Sequence, residues 1–515
     1  MLKTINFNRI SMLSSIFLII FALASCSSDD DPKELPAIPI LSIDGDNEVV
    51  VKNGETIHVT LSLNAAGGNK SLVVNKGGGF LEEIPLNATA STYTYSNQSV
   101  DENAEEGEEI EFEFILVDTE NQESSAVSFK VFSAKYDLIT IGSEKVYDVN
   151  ISGGVVESGT NIKFIEGRNY YISEDVTFLD GSSLNIESGV TVYLNAGQEP
   201  SVGIKAESGT LVDIQGTATN PVVMTSSKTL TGDAKAGDWD TFELEDMSNA
   251  VVRFLRSEYA DTGLRLDNCD NTNTVEYIQS FMSSGEGIYI TDNNINLKYL
   301  INTKSEDSGY RIGDDYNGKM QFIINVGADN DESEFYVREN ASVIAANMTL
   351  LGPGEDAEEG GDLIEIKSEA NTFKIYSSIV AESVDEDIKF SGDMPITDLN
   401  GVNVLAYSYF FNNDDPLKDN ASDFFGTFNE DGSLATNPFF NNAIALEEDG
   451  DIDFEKIDGI GVDDFIPDAT VTAKESFDPS TIDSFFTSVT FVGAVENEAN
   501  DWTKGWVKNP DGSIR

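Results

Sequence analysis

Four residues recur at a spacing that could set them on one surface. Arg265, Tyr289, Arg311 and Tyr336 each hold the third position of a short piece. The pieces read Gly263-Leu264-Arg265-Leu266, Gly287-Ile288-Tyr289-Ile290, Gly309-Tyr310-Arg311-Ile312 and Glu334-Phe335-Tyr336-Val337. Their starts lie 24, 22 and 25 residues apart. In an extended strand the two apolar neighbours point one way and the third position points the other. If the pieces stack, these side chains form an outward column alternating cation and ring, with Lys205 as an earlier member. Rings stack on sugar C–H faces and guanidinium groups pair bidentately with uronate or sulfate. Glycan binding is therefore the chemistry the column suggests. The competing reading is that its cations and rings pack on one another.

Other chemistries are poorly supplied. His58 is the one histidine, and Cys26 and Cys269 are the two cysteines. A Ser-His-Asp triad or a multi-imidazole metal site would have to be built around that single His. It sits in an alternating strand pattern, as a structural or surface residue would. Cys269 has no imidazole in the sequence near it to lower its pKa, so it reads as a packed small residue. Asp449, Asp451 and Asp453 alternate, and their hard oxygens make Ca²⁺ the one candidate ion, although the EF-hand spacing is absent. The runs 101–109 and 329–332 are acidic too, and solvated loops are their ordinary reading. Asp314 and Asp315 are adjacent, so on a strand they face opposite sides and cannot flank one glycosidic bond; a corner suits them better. No catalytic residue is assigned.

The elements that must carry these residues are β. The chain has 515 residues, with 31 Lys and Arg against 91 Asp and Glu, a net charge of −60. Such a field makes nucleic acid an unsuitable partner. Lys3, Arg9 and the apolar run 16–23 precede Leu23-Ala24-Ser25-Cys26. That order predicts a lipoprotein signal over 1–25, acylation of Cys26, and a membrane partner through the lipid anchor. Residues 26–39 form an acidic, Pro-containing tether. About seven short alternating strands over 40–134 predict an immunoglobulin-like β-sandwich. From 136 to 507 strand-sized pieces repeat with polar corners at Asn268, Asn293 and Asn294. A repeat of this period predicts a right-handed parallel β-helix with a C-terminal cap, in which Trp239, Trp502 and Trp506 are packing or end-cap residues. The expected fold class is all-β.

Several blocks carry a resemblance. They are 184–192, 203–206, Gly216-Thr217-Ala218 with Asn220-Pro221-Val222, Gly237-Asp238-Trp239, and the ending 491–495 with Asp501-Trp502-Thr503-Lys504-Gly505-Trp506. The chain resembles the β-helix lipoproteins of Bacteroidetes. In that family Gly and an aliphatic residue follow the Trp, whereas Asp240-Thr241-Phe242 stands here. The run Ser27-Ser28-Asp29-Asp30-Asp31 resembles the acidic export signal of their surface lipoproteins. The resemblance implies an outer-membrane location facing the cell exterior and supplies no catalytic residues. The leading functional expectation is non-catalytic glycan binding or adhesion, with a polysaccharide as partner. A polysaccharide lyase or glycoside hydrolase is the first alternative, because pectin-degrading enzymes share the scaffold. Their Gly-His-Gly and Arg-x-Lys motifs are missing, however, and Arg265 or Arg311 would make a poor base because Arg stays protonated. A structural or assembly component of the cell surface is the second alternative.

Overall fold

The computed structural model describes residues 34–197, 201–330, 332–338, 340–353, 357, 360–367, 372–382, 386–391, 404–411, 415–417, 444–446, 465–466 and 476–515. Cys26 and the acidic triplet Asp449, Asp451 and Asp453 lie outside these residues. The chain divides into two units. One is Met1–Val49, Ile57–Asn97 and Ile110–Val131; the other is Val50–Thr56, Gln98–Glu109 and Phe132–Arg515.

Alternation decides the first unit. Ile40–Ile43, Val59–Asn64 and Thr92–Tyr95 form an antiparallel three-stranded sheet. Asn69–Lys76 pairs antiparallel with Gly79–Pro85 and with Glu109–Asp118 in a second sheet. Every second residue faces inward, so Leu61, Leu72, Val74, Phe112 and Phe114 are fully buried. The Tyr95 ring meets Phe114 edge-on at 5.2 Å. This is the immunoglobulin-like sandwich expected from the strand pattern. His58 is exposed, one residue before Val59–Asn64.

The second unit is a parallel β-helix. Its first sheet holds eleven strands among the described residues. Leu264 pairs with Ile288, Ile288 with Tyr310, and Tyr310 with Phe335, so the four repeated pieces are neighbours in register. Leu266, Ile290, Ile312 and Val337 follow the same order. Early coils have separate second and third strands, such as Ser183–Ile186 and Thr191–Leu194. From Val251–Glu258 onward the two merge into one bent strand, seen again in Thr274–Phe281, Leu297–Thr303 and Asn317–Val326. The bend falls on Phe254, Tyr277, Tyr299 and Phe322, each at positive φ between 49° and 60°. That conformation is unfavourable for bulky residues. Successive rings stack at 4.3, 4.4 and 4.9 Å, a packing gain that offsets the backbone strain.

Of the packing and end-cap readings, Trp502 and Trp506 in the C-terminal segment take the packing one. The segment lies along the flank of the coils and covers the ring stack. Trp506 meets Phe254 edge-on at 5.6 Å, and Trp502 meets Tyr299 at 5.2 Å. Two buried glutamines fix its backbone. Gln279 donates to Lys508 O and accepts from Lys508 N, both at 2.8 Å; Gln321 does the same with Thr487, at 3.0 and 2.8 Å. The physical reason is that the bent corners leave rings and buried amides on the side of the stack, and these need a cover there. The 101–109 run differs from a wholly solvated loop. Glu106 is buried, bonds Arg168, and accepts from the Tyr170 hydroxyl at 3.1 Å and from Lys135 N at 2.7 Å.

The coil without a glycine has a specific consequence. Gly263, Gly287 and Gly309 stand beside an interior polar column of Ser280, Asn302 and Asn325, and a Cβ at any of the three would collide with it. Asn302 Nδ2 donates to Asn325 Oδ1 at 2.9 Å, and Asn325 Nδ2 donates to Glu334 Oε2 at 2.8 Å. Glu334 occupies the next glycine position and ends the amide ladder inside the protein. Burial pushes its carboxyl up to about 8, against opposing hydrogen bonds from Asn325 and from the backbone of Ala328 and Gly309. The folded chain therefore holds this proton more tightly than the unfolded chain does. Its ionisation costs stability progressively between the ordinary carboxylate range and about pH 8, and the loss is complete above that. In Glu334→Gln this dependence disappears. The difference in urea-unfolding free energy between variant and natural chain is expected to change by about 2–4 kcal/mol in the variant's favour from pH 5 to pH 9.

Candidate functional site

The outward column is assembled by the first sheet. Each strand buries two apolar residues and leaves the one between them half-exposed, as in Ile288–Thr291, Tyr310–Ile312 and Phe335–Val337. The register brings all four predicted residues together: Arg265 beside Tyr289, Tyr289 beside Arg311, and Arg311 beside Tyr336. The column continues both ways. Thr177, Lys205 and Glu243 precede Arg265, and Glu365 and Lys389 follow Tyr336. Nine positions at about 4.8 Å per step span about 38 Å.

Sequence reasoning missed Thr177, Glu243, Glu365 and Lys389. The pairing slips between Thr241 and Glu243, a bulge that shifts the side-chain pattern by one residue. This irregularity lies where Asp240-Thr241-Phe242 replaces the expected residues. At Glu365 the strand Ile364–Lys367 has no leading glycine to mark it. The apolar-x-apolar triplets Phe242-Glu243-Leu244 and Ile364-Glu365-Ile366 were the available signal.

The column is internally neutralised. Guanidinium carbons of Arg265 and Arg311 lie 4.9 and 5.1 Å from the Tyr289 ring centre, one from the preceding coil and one from the following coil. Both faces of Tyr289 are thus covered. Arg265 also lies 3.1 Å from Glu243 and 3.0 Å from Asp267, and Arg311 lies 2.6 Å from Glu286. Lys205 lies 2.8 Å from Glu245 and 3.6 Å from Glu243; Lys389 lies 2.8 Å from Asp362. Burial works against the Lys205 charge, but Glu245 and Glu243 outweigh it and hold the ammonium above its ordinary pKa. Ligand oxygens of Glu243, Glu245 and Asp267 come within 4.8 Å of one another. Lys205 and Arg265 already sit among these three carboxylates and offset two of their three charges.

The remaining candidates take structural positions. Asp314 and Asp315 form a turn, with Asp315 at φ 55° and Asp314 O accepting from Asp292 N at 2.8 Å. Asn268 turns a corner at φ 48°, and Asn293 donates to Leu266 O and accepts from Cys269 N. Cys269 is buried, and burial pushes its thiol up to about 11, which removes nucleophilic character at neutral pH. A cavity of 180 Å³ lies on another face, lined by Asn317, Lys319, Ser342 and Thr372 among others. It is smaller than ordinary small-molecule sites.

Residues 154–244 match the pectate-lyase-like β-helix domain family. No curated protein matches the chain. Solved structures show similarity, among them the following three. A family 28 exopolygalacturonase of Yersinia enterocolitica is 8% identical over 82% of this chain and 100% of its own, with a TM-score of 0.17. A pectate lyase of Pectobacterium carotovorum is 10% identical over 80% and 91%, with a TM-score of 0.12. Fibronectin(III)-like modules of Clostridium thermocellum CbhA are 17% identical over 19% and 98%, with a TM-score of 0.15. Scores of this size carry no argument about activity.

The Tyr289 sandwich makes its own prediction. Tyr289→Ala leaves two guanidinium groups without the ring between them, and the expected loss is about 1–2 kcal/mol in urea unfolding. Tyr289→Phe keeps the ring faces and is expected to stay within about 0.5 kcal/mol of the natural chain.

Proposed function

We propose that this chain is an outer-membrane lipoprotein, anchored through Cys26 and facing the cell exterior, whose β-helix binds glycan without cleaving it. The observation that carries the reading is the unbroken outward column from Thr177 to Lys389. It offers a row of polar side chains at one strand spacing per step, with planar groups from Glu243 to Glu365, which suits an extended polymer rather than a small molecule. The charges along it favour binding over chemistry. Glu243, Asp267 and Glu286 are each held by a cation of the same face, and an arginine stays protonated, so neither supplies a free acid–base pair. The mixed character of the face also disfavours a purely structural role, for which a featureless acidic surface is expected.

One observation favours cleavage as a second reading. Asp240 is an exposed residue near the start of Trp239–Glu245, a strand inside the same sheet, and its carboxyl is raised by partial burial and by Asp261, Asp175 and Glu243. A raised carboxyl is what a general acid requires. The two readings separate in one experiment. The soluble body, beginning after Cys26, is screened on a glycan array, and every retained glycan is then incubated with it and examined for new reducing ends and unsaturated products. Retention without product is expected. Product formation that Asp240→Asn abolishes would replace binding with cleavage.

A further inference from the structure

We infer that the glycan taken by this face is uncharged, rather than a uronate or sulfate polymer. The inference rests on the binding reading above and narrows its ligand class. Isolated arginines and lysines would select anionic sugars. Here each of Lys205, Arg265, Arg311 and Lys389 already has a carboxylate partner on the same face, at 2.6–3.1 Å. A uronate must displace one of these carboxylates to reach a guanidinium, so one charge-assisted pair is exchanged for another with no net gain. The displaced carboxylate is then left part-buried: the Glu243 side chain is 15% exposed and that of Asp362 only 3%. Around the face stands a chain of net charge −60, which repels a polyanion at close range.

An uncharged sugar meets none of these costs. Paired carboxylates keep lone pairs, and guanidinium groups keep N–H donors, for hydroxyl groups lying across their edges. The step between groups, about 4.8 Å, is comparable with the advance of one ring in an extended pyranose chain. Recognition by edges follows from the rings as well. Both faces of Tyr289 are occupied by Arg265 and Arg311, and Lys367 lies 5.6 Å from the Tyr336 ring centre. Stacking on a sugar is therefore not what Tyr289 does. It spaces the two arginines and holds their planes.

The test is affinity electrophoresis of the soluble body in gels containing a neutral glucan, mannan, xylan or galactan, or polygalacturonate, at low and physiological salt. At least one neutral polymer is expected to retard the protein at both salt concentrations, while polygalacturonate leaves its mobility unchanged. Retardation by polygalacturonate alone, weakened by salt, overturns the inference and leaves glycan binding standing. Equal retardation by both classes also overturns it. Retardation by neither removes the inference and the binding reading together. Glu286→Gln adds a second arm by freeing Arg311 from its partner. It is expected to weaken neutral retardation at least threefold and to introduce salt-sensitive retardation by polygalacturonate. If a folded E286Q chain leaves neutral retardation unchanged, the assignment to this face is overturned.

Discussion

A single coil of the second unit cannot fold alone. It has one apolar residue on each side of an outward one, and its backbone hydrogen bonds end on the next coil. In-register stacking is the constraint on which everything else depends. It closes the core by placing Leu264, Ile288, Tyr310 and Phe335 in one column, and it satisfies the backbone in the same step. A slip of one residue would send the apolar set to solvent and Arg265, Tyr289 and Arg311 into the core. The outward column is thus a by-product of the same register that makes the core.

Stacking also dictates how interior polar groups are handled. Asn302 and Asn325 satisfy one another because they occupy equivalent positions one coil apart. Glycines beside them leave room for the amides, and Glu334 ends the series. The same principle on the outside gives Tyr289 two arginines as neighbours, one from each adjacent coil. Carboxylates at Glu243, Asp267 and Glu286 then keep like charges tolerable at coil spacing. Charge balance on this face is therefore first a requirement of folding. The surface it leaves for a ligand is polar, planar and nearly neutral.

The architecture was legible in the sequence wherever one residue type marked a fixed place in the coil. Gly263, Gly287 and Gly309 announced the repeat, and Glu334 kept the register without them. Arg265, Tyr289, Arg311 and Tyr336 could be aligned for that reason. Glu243 was hidden by the bulge after Trp239, because a bulge breaks the period that sequence reading relies on. The flank position of Trp502 and Trp506 was hidden for a different reason. Composition marks them as buried, yet which surface they cover depends on Phe254, Tyr277 and Tyr299, more than two hundred residues away. The burial of Glu106 by Arg168 and Tyr170 was likewise a matter of partners that an acidic run does not disclose.

The most direct test of the stacking register is a distance ruler. Spin labels are placed at Thr177 and, in turn, at Tyr289, Arg311 or Tyr336, in a chain carrying Cys26→Ser. These pairs are four, five and six register steps apart. Pulsed dipolar spectroscopy is predicted to give backbone separations of about 19, 24 and 29 Å, rising by one strand spacing at each step. Distances that fail to grow by this increment, or that change order along the series, would contradict the account.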